Sequence, residues 1–546
     1  MPGTGGAGLL VSLSGDGRPD GRPEHVPDLA AAIVAAERAG DARWVWASTQ
    51  RVYPALFRSG VRVARCHDVE LVGGLIAARD GLTVQPSPES AAGRPDDRQN
   101  ALELPFDAGG GAAPEPSQAL ATLLAQHAEQ LRQIGAEADP VRFGLLAAAE
   151  SAGGLVAAEM TAAGLPWRAD IHDQLLSALL GPRPPVTAGP ALRPARLAEL
   201  AAEISAALGA ARPVNLDSPA QLIRALAASG IRVQSTRSAE LRKVDHPAIA
   251  LLLEYKELAR LHTANGWSWL ETWVSGGRFR PEYVVGGVVS GRWASRGGGA
   301  LQIPKLLRRA VVADPGWTLV VADAAQLEPR ILAALAGDQA FAQAAGAGDL
   351  YAAVAAAIGG DRATAKVALL SAMYGGTGGD GGRSLALLRR RFPQASAFVE
   401  SAARAGEEGR VVRSVLGRAC PPPSAAWRSL TSESGDPEQQ RDPGAAAAAR
   451  ARGRFTRNFV VQASAADWAL VLLALLRARL AELECGPQLV FFQHDEVVVH
   501  CPASLATEVA TAIEAAAAGA TRTIFGATDV SFPMTTAIVE CYADAK

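Results

Sequence analysis

Two aspartates, and the cationic stretch that lies between them in the sequence, are the residues best suited to chemistry. Asp323 follows the apolar run Leu319-Val320-Val321-Ala322 and precedes Ala324-Ala325-Gln326-Leu327-Glu328-Pro329-Arg330. Asp495 lies in His494-Asp495-Glu496, flanked by Val490-Phe491-Phe492 and Val497-Val498-Val499. Between them Arg362, Lys366, Leu370 and Tyr374 recur every four residues, a spacing that puts them along one helix face. Carboxylates held together on neighbouring strands repel unless cations neutralise them, and their hard oxygens suit divalent metals. Arginine and lysine on a facing helix can grip a triphosphate. Transfer of a nucleotidyl group is the chemistry these residue types allow. Taken singly, each has a plainer reading: Asp323 as a helix N-cap, the Asp495 segment as a hairpin turn, the helix as a solvated surface. Only the combination carries weight. Arg454, Asn458 and Gln462 also step by four and form a polar stripe suited to phosphate and groove-edge contacts.

The elements that must position these groups follow from patterning. The run ending at Asp323 predicts a strand, with Gln326 to Leu335 turning into helix; Pro329 is acceptable in a first helical turn. A helix from about 454 to 482 leads into a hairpin around Asp495, another helix, and a final strand near Thr535 to Glu540. Upstream, short apolar runs (Gly8 to Leu13, Trp44 to Ala47, Val61 to Ala64) alternate with alanine-rich stretches, which predicts a small α/β domain. Residues 83–118, rich in Pro, Gly, Ser and Asp, read as a linker. Helical spacing covers about 119–180, 196–271 and 326–405, strand-like patterning returns near Tyr283 to Val289, and low complexity at about 431–449 predicts an exposed loop.

With 546 residues the chain is too long for a single core. Its formal net charge of −2 does not announce a nucleic-acid binder, although Arg292, Arg296, Lys305, Arg308 and Arg309 form one local basic segment and Arg441, Arg450, Arg452, Arg454 and Arg457 another. The five cysteines are scattered without zinc spacing, as for free thiols in a reducing cytoplasm. No basic region followed by an apolar core opens the chain, and the apolar stretch near Trp468 to Leu476 reads as too short to span a bilayer. A soluble, cytoplasmic protein without membrane contact is the expectation.

Six segments, in order, resemble the polymerase half of family A DNA polymerases, the bacterial DNA polymerase I type. Asp323 to Arg330 resembles that family's DYSQIELR motif. Arg362 through Lys366 to Tyr374-Gly375 resembles RxxxKxxxFxxxYG, and Gln493-His494-Asp495-Glu496 resembles VHDE. Ser290-Gly291-Arg292 with Leu301-Gln302-Ile303-Pro304 resembles TGR…LQNIP; Glu254 to Thr263 resembles the family's thumb-to-palm helix; Gln462 to Asp467 resembles QGTAAD. The likeness covers roughly residues 140–546.

The resemblance implies a multidomain α/β and α+β protein. A small exonuclease-like α/β domain with linker (1–118) would precede a right-hand polymerase with an antiparallel palm sheet: thumb and connecting helices (119–275), palm (276–330), fingers (331–455) and palm again (456–546). It implies a DNA-templated DNA polymerase, a monomer, acting on primer-template DNA and dNTPs in replication or repair. Asp323 and Asp495, with the Ala324 carbonyl and Glu496 in support, would hold two Mg2+ ions, Mn2+ being a substitute. Arg362 and Lys366 would grip the phosphates, Lys366 also protonating the leaving group. Gln326 and Leu370 would line the nucleotide site, and Glu328 with Tyr374 would gate against a 2′-hydroxyl. Arg292, Gln302, Arg454, Asn458, Gln462 and His494 would contact primer-template. Ala324, Ala325, Leu370 and Ser371 depart from the family pattern, which bears on sugar discrimination and speed. In the N-terminal domain no Asp-x-Glu follows the first strand, and Asp68 stands as the remnant of a nuclease carboxylate set, so the domain reads as degenerate. The alternatives are a bifunctional polymerase and 3′–5′ exonuclease, or a non-catalytic DNA-binding relative.

Overall fold

The structure, a computed structural model, describes residues 6–40, 42–82, 115–185, 193–210, 212–296, 299, 303–346, 348–374, 381–432 and 443–545. It divides into two compact units. The first comprises Met1–Ala163, Glu282–Ser295 and Pro315–Val539; the second comprises Gly164–Pro281, Arg296–Asp314 and Glu540–Lys546.

The first unit begins with β1 (Gly8–Leu10) and β2 (Glu24–Val26), an antiparallel pair, then α1 (Leu29–Ala39), β3 (Trp44–Trp46), α2 (Thr49–Arg58), β4 (Cys66–Asp68) and α3 (Val69–Arg79). β3 and β4 run parallel, with Trp46 opposite Asp68. The strand expected at Val61 to Ala64 forms instead at Cys66. Val61 and Val63 are buried in the same core as Ile33, Trp46, Tyr53 and Leu155, so their alternation records burial and not a ladder. Next come α4 (Pro116–Gly135) and α5 (Pro140–Ala163). Small residues let neighbours close on α5: a Cβ at Gly154 would lie 3.2 Å from Thr49 Oγ1 of α2. For that reason α4 and α5 belong to the first unit, and the segment expected at 119–275 divides at Ala163.

The second unit contains β5 (Leu165–Pro166), α6 (Ala169–Leu180), α7 (Ala195–Ala207), α8 (Pro219–Ala228), α9 (Ser238–Leu241), α10 (Pro247–Asn265), α11 (Trp267–Trp273), β6 (Val274–Ser275) and β7 (Arg278–Phe279), with sheet order β5-β7-β6. Trp167, His172, Trp269 and Phe279 pack ring on ring, Trp269 and Phe279 at 4.9 Å between centroids. His172 Nδ1 accepts from Trp167 Nε1 (3.3 Å) and Nε2 meets Asn265 O (2.9 Å), an arrangement for neutral imidazole. The Glu540–Lys546 segment completes the unit: Cys541 bridges to Val312 and the Arg308 guanidinium lies 4.4 Å over the Tyr542 ring.

The rest of the first unit builds the main sheet. After β8 (Glu282–Val284) and β9 (Ala294–Arg296) comes β10 (Trp317–Ala324), then helices α12 (Leu327–Ala336), α13 (Gln339–Gly346), α14 (Leu350–Ile358), α15 (Arg362–Tyr374), α16 (Gly381–Arg391), α17 (Pro393–Glu407), α18 (Ala425–Ser432) and α19 (Pro443–Glu482). The chain ends this unit with β11 (Gln488–Gln493), β12 (Glu496–Pro502), α20 (Ala506–Phe525) and β13 (Met534–Val539). The strands order β11-β12-β10-β13, all neighbours antiparallel, and β10 is buried along Thr318 to Ala322 because α20 packs on it.

Two sequence expectations change here. Of the low-complexity stretch at 431–449, residues 433–442 lie outside the described part, but from Pro443 the chain is already helical. Its alanines favour helix and the proline takes the first position. The apolar stretch near Trp468 is therefore one part of a 40-residue helix. α5 and α19 are both long and apolar enough to cross a membrane, yet 61% and 83% of their apolar windows are buried inside the fold, as in core helices.

Candidate active site

The sheet brings the two aspartates to one end of adjoining strands. In the β10–β12 ladder Asp323 stands opposite Glu496, and Gln493 pairs with Glu496 to close a two-residue turn of His494 and Asp495. His494 adopts φ 57°, the left-handed conformation that tight hairpin turns use. The Ala324 N–H donates to the Asp495 carbonyl at 3.0 Å, which ties the turn to the end of β10. Asp323 is not a helix N-cap. That position belongs to Gln326, at φ 58°, three residues further on. Glu496 is buried within the ladder.

Beside the turn, Glu328 in the first turn of α12 accepts from two donors at once: the Arg292 guanidinium and the Tyr374 hydroxyl at the end of α15. Burial lowers the Arg292 pKa, while Tyr374 and Asp495 oppose that shift. Burial and then the Arg292 charge depress the His494 pKa, favouring neutral imidazole. Arg292, Glu328, Tyr374, His494 and Asp495 thus form one electrostatic neighbourhood, drawn from four separate segments.

Arg362, Lys366, Leu370 and Tyr374 all lie on α15, as the spacing requires; Arg362 and Lys366 are exposed, Leu370 and Tyr374 half-buried. Asp349 escaped the sequence reading, yet it organises this side of the site. It caps α14 by accepting from Tyr351 N and Ala352 N, binds Arg362 Nε at 2.7 Å, and accepts from Gln326 Nε2 at 2.9 Å. Its signal in the sequence, an aspartate ahead of an apolar helix, is that of any N-cap. Gln326 spends its side chain here too, its Oε1 accepting from Leu350 N, so what it offers a ligand is backbone. On α19, Arg454 is exposed, Gln462 is half-buried, and Asn458 Oδ1 is buried with no hydrogen-bond partner among the described residues. Gln302 and Gly375 lie outside the described residues.

Asp68 serves the fold. It is 1% exposed, accepts from Thr49 N (2.6 Å) and caps α3 through Leu71 N (2.9 Å), and burial pushes its pKa up. A carboxylate so committed has little left for a metal. Among the described residues no group of three or more His, Cys, Asp or Glu side chains could hold an ion. The donor set at the sheet end, two carboxylates with a neighbouring backbone, still fits a hard divalent cation that keeps several waters.

Similarity to known proteins follows the same lines. Thermostable DNA polymerase I of Thermus thermophilus is 25% identical over 347 residues, 55% of this chain and 39% of that protein. The thermostable DNA polymerase I of Thermus aquaticus is 25% identical over 362 residues, 58% of this chain and 40% of that one. The chain therefore spans about two fifths of the length of these curated relatives. In fold it is similar to the POL domain of Pol1 from M. smegmatis, solved in complex with DNA primer-template and dNTP. The TM-score is 0.69 at 18% identity, covering 99% of this chain and 96% of that one. Residues 193–538, well over half of the sequence and both aspartates with it, match the family model of DNA polymerase family A, and to that family this chain belongs.

Proposed function

We propose that the protein is a DNA-templated DNA polymerase that transfers a nucleotide from a dNTP to a primer 3′-hydroxyl. The observation that carries this reading is the meeting of Asp323 and Asp495 at one sheet end, beside the Arg292–Glu328–Tyr374 cluster. The four-stranded sheet acts as palm, α12 to α18 as fingers and the helices of the second unit as thumb. Asp323 and Asp495, with the Ala324 carbonyl and Glu496 in support, would hold a pair of divalent ions. Bound there, such ions acidify a hydroxyl nucleophile and neutralise phosphate charge. Arg362 and Lys366 grip the triphosphate, Arg362 leaving Asp349 to do so, and Lys366 supplies a proton to departing pyrophosphate. Glu328, held by two donors, walls off the space a 2′-hydroxyl would occupy. Arg292, Gln302, Arg454, Asn458, Gln462 and His494 bind primer-template. The enzyme works as a soluble cytoplasmic monomer. Its N-terminal domain serves as support, since Asp68 is committed to backbone, and no loss of label from a 3′-labelled primer is expected without dNTPs.

Primer extension with Mg2+ or Mn2+ tests the reading. Asp323→Asn and Asp495→Asn should each abolish extension, by about a thousandfold or more, while primer-template affinity stays within about threefold. Normal extension by either variant would remove the metal assignment. An inactive wild type that still binds primer-template would favour the non-catalytic relative.

A further inference from the structure

Apart from Arg292 itself, which reaches Glu328, the polar side chains of the turn that carries it do not anchor it. Ser290 Oγ and Trp293 Nε1 are buried and find no hydrogen-bond partner among the described residues. Two backbone bonds close the turn, Gly291 N–H to Val288 O at 2.7 Å and Val288 N–H to Arg292 O at 3.1 Å. Beneath it lies the guanidinium of Arg418. Gly291 sits at φ +81°, and a Cβ there would collide with Nε and Cζ of Arg418; a Cβ at Gly286 would collide with Glu150 Oε1. Both glycines are therefore required by close approach as well as by backbone conformation.

Arg418 is itself held on two sides. It is 6% exposed; Nη2 donates to Glu150 Oε2 at 2.8 Å and Nε to Asp467 Oδ1 at 3.2 Å, while its backbone N–H donates to Ser414 Oγ at 2.9 Å. Glu150 comes from α5 and Asp467 from α19, so three distant stretches converge under a fourth. Arginine suits this place because one planar group can reach two carboxylates and still present a flat face. Lysine can satisfy one carboxylate and has no face to offer.

We propose that Arg418 is a positioning residue: clamped between Glu150 and Asp467, it is the floor on which the Gly286–Gly291 turn rests, and it thereby fixes Arg292 within reach of Glu328 and Asp495. The inference deepens the polymerase reading, but only its activity arm depends on that reading. Hydrogen exchange in the full chain tests the floor directly. In Arg418→Lys, amides of residues 284–293 should exchange about tenfold faster while those of α20 keep their wild-type rates. In primer extension the same variant should lose about tenfold in kcat with the dNTP KM within about threefold, since Arg292 is misplaced and not removed. Gly291→Ala, which puts a methyl where the guanidinium lies, should reproduce both effects. The double variant should be within about twofold of the worse single one, because both break the same contact.

A stability control separates positioning from general loosening. Arg477→Met, which breaks a buried ion pair with Glu159 outside this cluster, should lower thermal stability and leave extension unchanged. Wild-type exchange rates at 284–293 in Arg418→Lys would overturn the proposal whether or not the wild type extends primers. So would full extension activity in that variant, or additive losses in the double variant. Should Arg418→Lys fail to fold, Gly291→Ala carries the same expectations, and wild-type behaviour there would overturn them. Faster exchange beside an inactive wild type would support the floor and sink the polymerase reading alone.

Discussion

Glu328 holds an arginine and a phenol at once, and that double use makes its replacement informative. Glu328→Ala should cost about tenfold in extension and raise ribonucleotide incorporation relative to dNTP, because it frees Arg292 and Tyr374 together. Tyr374→Phe removes one bond and should do less. Competition between paired dNTP and rNTP substrates reads both; an unchanged ratio in Glu328→Ala would dissolve the gate. Leu370, on the same helix face, stands where the family has an aromatic. Leu370→Phe should lower the dNTP KM by about threefold through added apolar contact, as steady-state kinetics would show. The residues of this scale that were legible in the sequence are those whose neighbours declare them: Asp323 at the end of an apolar run, Asp495 between two β-forming runs. Asp349 and Arg418 were hidden for a physical reason. A capping aspartate looks the same whether or not an arginine later settles on it, and an arginine between two distant acids has no local pattern at all.

Among the elements, the aromatic cluster around His172 predicts acid sensitivity with a definite sign. Burial holds the His172 pKa at about 4, below its ordinary 6.5, and the Trp167 N–H already fills Nδ1. Because the folded value is the lower one, the unfolded chain binds the extra proton first. The stabilisation is complete above about pH 6.5 and is lost as pH falls toward about 4. Tryptophan fluorescence across urea transitions should show the second unit weakening by roughly 2 kcal/mol over that interval, and His172→Gln should flatten the slope. A slope of wild-type steepness in that variant would refute it. Element types were largely readable here, since β10, α15 and the hairpin all follow periodicity. The misplacements have causes. Val61 and Val63 alternate because they are buried without pairing, whereas Cys66-His67-Asp68, with its polar centre, is the segment that reaches β3. The alanine run after Pro443 looked featureless because low complexity conceals high helix propensity.

Over the whole molecule, one buried network joins α2, the segment after it, α5 and α19. Arg477 donates to Glu159 Oε1 (2.7 Å) and to the Val63 carbonyl, Tyr53 donates to Glu159 (2.6 Å), and Arg62 closes on the same carboxylate. Burial alone would raise the Glu159 pKa, but the Arg477 and Arg62 charges hold it below its ordinary value. Glu159→Ala would leave Arg477 buried without its counter-charge and should cost about 3 kcal/mol, measurable by chemical denaturation. A loss under about 1 kcal/mol would mean the N-terminal segments are held by apolar packing alone. The division into units was not legible, because no local pattern marks where Gly164–Pro281 separates from the small-residue helix before it.

The second unit is threaded from three lengths of chain, and the last of them, Glu540–Lys546, supplies Cys541 opposite Val312 and Tyr542 beneath Arg308. A nascent polypeptide leaving the ribosome would therefore carry this part unfinished until residues 540–545 had followed. Its closure waits for residues 540–545, so a nascent chain stalled before they emerge would display this part still open to proteases.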